Sequence, residues 1–316
     1  MKPVLFVGGL GKSLERAENL HTIYEAYHGP KKFISSHDYG YVNIVESGYY
    51  DLMVTDVFPE FTPGKVIMIW HAIQGGKTIG LDQPKSFFRP DMAKLIDCIV
   101  VAGRGGVDMF HQCTGVSKER IHNLGMPRTD RYIGKKKGDG GTVLAGKRAY
   151  LYVPTFRNWR EDPIPPIDFE AIDEELHDDE ILAVKAHPYG MAFGVHGYKH
   201  VIEVDRMEPT APWLYDADVV ITDYSSIMFD AWLLNKPVVL FEKVKGYIED
   251  RGMYLKYPVQ YSPRYANKET RTVLLARGAK QLLPTEMMCM DLVADMCDGH
   301  SCERICKLID EMNKQN

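Results

Sequence analysis

Short, uninterrupted apolar runs separated by helix-patterned segments recur along the whole chain, and this alternation limits the fold more than any other feature. Examples of the apolar runs are VLFVGG at 4–9, KVIMIW at 65–70 and DVVITDY at 218–224. Strands that are buried on both faces have continuous apolar sequences, and strands that alternate with helices form parallel sheets. The sequence therefore predicts an α/β protein with doubly wound parallel sheets covered by helices on both faces.

The chain is long enough for two such sheets. It has 316 residues, of which 45% are hydrophobic, and a single core rarely grows beyond about 250–300 residues. The glycine- and lysine-rich stretch GKKKGDGGTVLAGK at 134–147 is typical of a linker. We therefore predict two domains of similar size, 1–140 and 141–316, with a ligand cleft lined by the carboxyl ends of their strands.

Charge and cysteine content limit the partners and the compartment. The formal net charge of −5 gives no global basic field, so no nucleic-acid partner is expected. The opening MKPVLFVGGLG does not resemble a signal peptide, and no apolar stretch reaches about 20 residues, which predicts a cytoplasmic protein.

Six cysteines fit a reducing compartment. Four of them lie between 289 and 306 without a C-x-x-C pair, and no metal site is predicted.

One local basic cluster occurs at the predicted linker and comprises Lys135, Lys136, Lys137, Lys147 and Arg148. The first interpretation is a solvated linker. The alternative is peripheral docking at the inner face of the cell membrane, since each basic residue near an anionic surface contributes about 1 kcal/mol.

Polar residues follow four of the apolar runs, at the positions where parallel sheets bind ligands. His71 follows KVIMIW, Pro154–Arg157 follows AYLYV, His187 follows EILAVKA, and Asp223–Ser226 follows DVVIT. Two histidines, an arginine and paired serines at equivalent positions predict an anionic ligand with acid–base chemistry beside it. Each histidine taken alone is more typical of a structural residue in a loop.

The serine pair Ser225 and Ser226 opens the segment SSIMFDAWLLN, which is patterned as a helix. Free backbone N–H groups and the helix dipole attract phosphate at such a position. Ser226 and Asp230 share one helical face at i, i+4 spacing, and Asn235 and Pro237 are stop signals. Because serine is a preferred cap in any helix, this motif alone leaves a structural interpretation equally open.

Five segments occur in an order and with residues that resemble one family: WHAIQGGKTIG, GMPRTD, VPTFR, KAHP and DYSSIMFD. They are similar to the W-H-G-T-P-x-K-x-x-G, G-x-P-R-N-D, P-T-F-R, K-x-H-P and D-Y-S-S-x-x-F-D patterns of the CDP-glycerol glycerophosphotransferase family. This family contains the primases and polymerases of teichoic acid and related capsule polymers. The later segments RGMYLKY and CDGHSCERI extend the resemblance, which covers roughly residues 45–310.

The resemblance implies a GT-B fold, in which two Rossmann-like domains face a cleft, the first on the acceptor side and the second binding the nucleotide donor. It implies transfer of a polyol phosphate, with glycerol phosphate as the first expectation, from a CDP-activated donor. The acceptor is a hydroxyl of a polyol-phosphate or glycan polymer, or of a lipid-linked form of one. This hydroxyl attacks the β-phosphoryl group and CMP leaves. No metal or other cofactor is implied.

The resemblance also implies roles for individual residues. His71 would be the base that activates the acceptor hydroxyl, and His187 would assist at the donor phosphates. The implied donor-binding residues are Thr155, Arg157, Asp223, Ser225, Ser226 and Asp230. The residues expected near the cleft are Lys77, Arg128 and Asp130.

Three departures from the family patterns bear on the substrate. Ala72 replaces the glycine after the histidine, IQGGK replaces the T-P segment, and Thr129 stands where asparagine is usual. The choice between glycerol, ribitol and another polyol or sugar therefore stays open. Two alternatives keep the fold: a glycosyltransferase or epimerase that acts on a nucleotide sugar, and a homologue that binds nucleotide without catalysis.

Overall fold

The computed structural model describes residues 2–9, 17–74, 91–155, 167–188, 190, 192–223, 225–241, 265–266 and 290–314. The described chain divides into two compact units. Residues up to Ile133 and from Asp291 onward form the first unit, and the second unit begins at Gly134. Each unit is built around one parallel sheet, which confirms the predicted α/β class.

The sheet of the first unit has six strands. They are β1 Val4–Gly8, β2 Lys31–Ser35, β3 Leu52–Thr55, β4 Lys65–Ile69, β5 Cys98–Val101 and β6 Ile121–Asn123. Their spatial order is β2-β1-β3-β4-β5-β6, and all neighbours are parallel. Strands β1, β3 and β5 are buried throughout, as their continuous apolar sequences predict. The direction of winding changes between β1 and β3, which is the topological switch point of this sheet.

The sheet of the second unit also has six strands. They are β7 Arg148–Tyr152, β8 Glu180–Lys185, β9 Val201–Val204, β10 Val219–Thr222, β11 Val238–Phe241 and β12 Tyr265–Ala266. Their spatial order is β12-β11-β10-β7-β8-β9, again with parallel neighbours. With β7 counted as the first strand, this is the 3-2-1-4-5-6 order of a Rossmann sheet, and its switch point lies between β7 and β10.

Helices connect the strands. The α-helices labelled here are α1 Glu18–Ala26, α2 Tyr41–Val45, α3 Arg104–Thr114, α4 Phe169–Glu175, α5 Ala211–Asp216, α6 Ile227–Leu233 and α7 Ser301–Lys314. Three 3₁₀ helices are Met92–Leu95, Lys118–Arg120 and Pro127–Tyr132. Asn235 adopts a left-handed φ of 54° just after α6, which confirms it as the predicted stop signal.

The C-terminal helix α7 packs on the first unit, so the prediction that residues 141–316 form one domain is wrong for this segment. Ile305 and Ile309 are fully buried in one cluster with Phe6 and Leu20. Gly125 has a φ of 91°, and a Cβ there would lie 2.2 Å from the Met296 carbonyl oxygen, so glycine permits the close approach of the C-terminal segment. An amphipathic pattern predicts a helix on a sheet but does not specify which sheet it covers.

The predicted linker begins the second unit and is bound to it. The carboxylate of Asp216 accepts hydrogen bonds from the backbone N–H groups of Gly138, Gly140 and Thr142 at 2.8–3.1 Å. Lys137 forms an ion pair with the Asp218 carboxylate. These contacts place the domain boundary at 133–134, seven residues before the predicted start of the second domain at 141.

Candidate active site

His71 lies just beyond the carboxyl end of β4, as predicted from its position after an apolar run. Its side chain is exposed, and its ring packs on Trp70 with 4.3 Å between the ring centroids. Trp70 in turn contacts Phe58 and the fully buried Phe110, with centroid distances of 5.5 and 5.6 Å. The imidazole therefore lies on an aromatic support at the ligand-binding edge of the first sheet.

The backbone around His71 is held by two buried polar side chains. Arg128 is 7% exposed, and its Nη1 donates to the His71 carbonyl oxygen at 2.8 Å. Asn19, on the buried side of α1, donates from Nδ2 to the Trp70 carbonyl oxygen at 3.0 Å and accepts from the Arg128 N–H at 3.1 Å. Arg128 thus holds the backbone that carries the histidine. Sequence reasoning missed Asn19, for which the only signal is a polar residue among the apolar positions of a helix.

Asp130 stabilises the fold. Its two carboxylate oxygens accept hydrogen bonds from the N–H groups of Ser301 at 3.0 Å and Cys302 at 2.7 Å, at the start of α7. These are N–H groups that a helix cannot satisfy internally, so the carboxylate caps α7. The sequence predicts Asp130 near the cleft, and its described contacts are structural ones to α7.

At the switch point of the second sheet, Asp223 joins the loops that follow β10 and β7. Asp223 is 2% exposed, and its Oδ1 accepts from the Thr155 N–H at 2.7 Å. Next to it, the Thr222 hydroxyl donates to the Val153 carbonyl oxygen at 2.6 Å. The Thr155 hydroxyl is buried and has no hydrogen-bond partner within the described part of the chain. The structure thus brings together Thr155 and Asp223, two of the predicted donor-binding residues.

Ser225 and Ser226 are partly exposed at the start of α6, which has only seven residues and is shorter than predicted. The Ser226 side chain makes no capping hydrogen bond, whereas the Ser225 hydroxyl accepts from the Ile227 N–H at 3.4 Å. The ordinary-cap interpretation therefore does not hold for Ser226. Asp230 lies four residues after Ser226, at the predicted i, i+4 spacing, and is buried, at 1% exposure. A helix this short contributes little dipole, and the serine hydroxyls are the groups left for a ligand.

His187 lies at the carboxyl end of β8 and is half-buried. Its carbonyl oxygen accepts from the Gly190 N–H at 2.7 Å, which closes a tight turn around Pro188. The two remaining predicted site residues, Lys77 and Arg157, lie outside the described residues.

The switch point of the first sheet contains a buried carboxyl group that sequence reasoning missed. Asp56 follows β3, is 1% exposed, and accepts from the Gly9 N–H at 2.9 Å. Burial raises the pKa of Asp56 to about 6. Its only signal in the sequence is an acidic residue directly after the apolar run LMVT.

The basic cluster of the linker is largely engaged with the second unit. Lys137 contacts Asp218, the Lys147 ammonium donates to the Asp178 carbonyl oxygen at 2.6 Å, and Lys135 lies over the Tyr215 ring at 5.6 Å. These contacts attach the cluster to the second unit, while Lys135, Lys136 and Arg148 stay exposed to solvent.

Among the described residues, no group of three or more His, Cys, Asp or Glu side chains could hold a metal ion. No helix of the described chain is long and apolar enough to cross a membrane.

Two doubly wound sheets with polar side chains at their carboxyl edges define an α/β protein of GT-B type with two Rossmann-like domains. Residues 42–311 match the family model described as CDP-Glycerol:Poly(glycerophosphate) glycerophosphotransferase. The chain belongs to this family, which confirms the resemblance seen in its motifs.

Curated relatives and solved structures agree with this assignment. The chain is 27% identical to the teichoic acid glycerol-phosphate primase of Bacillus subtilis (strain 168), over 68% of this chain and 59% of that protein. It is 27% identical to the teichoic acid poly(ribitol-phosphate) polymerase of Bacillus spizizenii (strain ATCC 23059 / NRRL B-14472 / W23), over 65% of this chain and 38% of that protein. The chain thus spans less than two thirds of either relative. The structure of the wall teichoic acid polymerase TagF is similar in fold, with a TM-score of 0.75 and 18% identity over 99% of this chain and 90% of that chain.

Proposed function

We propose that the chain transfers a polyol phosphate, with glycerol phosphate as the first candidate, from a CDP-activated donor to an acceptor hydroxyl and releases CMP. The observation that carries the proposal is the position of the family's polar residues. His71 lies at the carboxyl edge of one sheet, and His187, Asp223 and the serine pair lie at that of the other. Ligands of open α/β sheets bind at these edges.

His71 is assigned to the acceptor. Its ring is exposed, so a hydroxyl can reach it. The ring packs on Trp70, and Arg128 holds the His71 carbonyl oxygen, so the movement of the residue is limited. As a neutral imidazole it accepts the proton of the attacking hydroxyl. A well-placed general base contributes roughly two to four powers of ten to the rate.

The second unit is assigned to the donor. The hydroxyls of Ser225 and Ser226 and the ring of His187 donate hydrogen bonds to phosphate oxygens in this proposal. Arg157 is included because it belongs to the family motif P-T-F-R, and it adds positive charge at the donor. Phosphoryl transfer needs mainly positioning and charge stabilisation, and these residue types provide both.

The proposed step balances as an in-line displacement. The acceptor oxygen forms a bond to the β-phosphorus of the donor. The bond from this phosphorus to the oxygen bridging to the α-phosphate breaks, and CMP leaves with that electron pair. The acceptor proton passes to His71, and the polyol becomes linked to the acceptor through a phosphodiester.

We propose the chemical class of the acceptor and not one particular molecule. One relative is named as a glycerol-phosphate primase and the other as a poly(ribitol-phosphate) polymerase. The proposal therefore includes both a polyol-phosphate polymer and a glycan as acceptors. A lipid-linked form of either would bring the protein to the inner face of the cell membrane. We propose a cytoplasmic location with peripheral association through such an acceptor.

Release of nucleotide from a panel of donors tests the proposal. CDP-glycerol, CDP-ribitol and UDP-sugars are incubated with the full chain and a polyol-phosphate or glycan acceptor, and the nucleotide released is identified. We expect CMP from one CDP-polyol. His71→Ala should lower the rate at least about 100-fold, because the general base is lost, whereas the exposed His28→Ala should not. Release of UDP would assign the chain to the nucleotide-sugar enzymes, and binding of a CDP-polyol without turnover would make it a non-catalytic homologue.

A further inference from the structure

The carboxyl edge of the second sheet carries an arginine that belongs to none of the family motifs. Arg206 follows β9, and β9 lies beside β8, whose end bears His187. One guanidinium nitrogen of Arg206, Nη1, donates to the Gly190 carbonyl oxygen. The Gly190 N–H donates to the His187 carbonyl oxygen at 2.7 Å. The Arg206 side chain is therefore attached to the turn that follows His187.

A buried lysine fixes the backbone from which Arg206 projects. Lys185 is 1% exposed, and its Nζ donates to the carbonyl oxygens of Arg206 at 3.0 Å and Asp205 at 3.4 Å. The Asp205 side chain accepts from the Met207 N–H at 2.8 Å, which keeps its carboxylate on the local backbone. The end of β8 thus sets the position of the Arg206 backbone as well as that of His187.

The guanidinium keeps donors for a ligand. Arg206 is exposed and forms no ion pair with a carboxylate within the described residues. Of its five N–H groups, the Gly190 carbonyl engages one. Among the described residues of 153–155, 186–190, 205–209 and 223–227, which follow β7 to β10, Arg206 is the one lysine or arginine.

We propose that Arg206 is a donor-site residue that binds a phosphate oxygen of a nucleoside diphosphate beside His187. The inference rests on the proposed function, because it takes the donor to be a CDP-activated polyol. A guanidinium held at one end by a carbonyl offers its other N–H groups in a fixed plane, the geometry that suits phosphate. Its charge also stabilises the negative charge that develops on the departing CMP.

Comparison of CDP with cytidine tests whether Arg206 touches phosphate. The affinities of both are measured for wild type, Arg206→Met and Arg206→Lys, with calorimetry for CDP and ligand-observed NMR for cytidine. We expect Arg206→Met to weaken CDP binding about 10- to 100-fold, the usual effect of losing a charged hydrogen bond, and to leave cytidine binding unchanged. Arg206→Lys should lose less, because it keeps the charge but not the planar fork.

Lys199→Met provides the matched control. Lys199 is an exposed cation of the same unit that precedes β9, at the opposite edge of the sheet, and pairs with Asp178 at 2.6 Å. Its loss should change neither affinity. Equal weakening of CDP and cytidine in Arg206→Met, or unchanged CDP binding, would overturn the inference. A wild-type protein that binds UDP but not CDP would instead overturn the proposed function on which the inference rests.

Discussion

Among single residues, the two switch points share one feature, a buried aspartate that accepts a hydrogen bond from a backbone N–H group of the neighbouring loop. Asp56 accepts from the Gly9 N–H across the switch point of the first sheet, and Asp223 accepts from the Thr155 N–H across that of the second. In both sheets a buried carboxyl group after one strand holds the loop that follows its neighbour. These loops line the edge where ligands bind, so each aspartate fixes the shape of a binding edge.

The pKa of Asp56 leads to a prediction about stability. Burial raises this pKa from 3.8 to about 6, so the neutral form favours folding. Its contribution to stability is fully present below about pH 4 and is lost as the pH rises through about 6. Asp56→Asn keeps an acceptor for Gly9 and cannot ionise. Its free energy of unfolding relative to wild type should therefore rise by about 2 kcal/mol between pH 4.5 and 7.5.

Urea unfolding at the two pH values measures this difference. Glu46→Gln, an exposed acid of the same unit, serves as the control and should follow wild type at both pH values. An Asp56→Asn difference that stays constant between pH 4.5 and 7.5 would show that Asp56 does not titrate in this range.

At the scale of secondary-structure elements, the capping of α7 by Asp130 gives a second prediction. The carboxylate satisfies two N–H groups of α7 from a position far back in the chain. Asp130→Ala should destabilise α7 by about 1–2 kcal/mol, the usual effect of losing a cap, and so increase amide hydrogen exchange in α7 by about 5- to 30-fold. Glu311→Ala, on the exposed side of α7, should have little effect. Equal exchange rates in Asp130→Ala and wild type would contradict the assigned cap.

The elements also show what the sequence could predict. Strands β1, β4 and β10 follow from continuous apolar runs, and α7 follows from the amphipathic pattern of SCERICKLID. The run RPDMAKLI at 89–96 is patterned as a helix, and its described part, 91–96, contains a 3₁₀ helix at Met92–Leu95, since elements this short are decided by tertiary packing.

The sequence predicts the site residues that belong to a family motif, and it does not predict those that lie outside the motifs. His71, His187 and Thr155 with Asp223 lie at strand ends as expected. Arg206 was missed because its link to His187 runs through a backbone carbonyl, which leaves no trace in the side-chain pattern. The motif predicts Asp130 near the cleft but cannot show that its hydrogen-bond partners lie in a distant helix.

At the scale of the whole molecule, the first unit is discontinuous in sequence and needs its C-terminal segment. Ile305 and Ile309 are fully buried in the cluster on one face of the first sheet. Burial of each isoleucine contributes roughly 1.5–3 kcal/mol. A chain of residues 1–133 should therefore lack a cooperative thermal transition, and a peptide of residues 290–316 added in trans should restore one.

Circular dichroism melting with and without the peptide measures this requirement. A peptide with Ile305→Asp and Ile309→Asp is the control and should not restore the transition, because charged side chains cannot enter the apolar cluster. Cooperative unfolding of residues 1–133 alone would contradict the assignment of α7 to the core of the first unit.

In the proposed reaction, this chain transfers polyol phosphate by displacement at phosphorus. The most direct measurement is ³¹P NMR of the wild-type reaction with the CDP-polyol that the nucleotide-release panel selects. We expect the donor diphosphate signals to decrease while those of CMP and of a new phosphodiester on the acceptor increase in equal amounts. Formation of CDP together with a phosphate-free linkage on the acceptor would mean that carbon is attacked, and would contradict displacement at phosphorus.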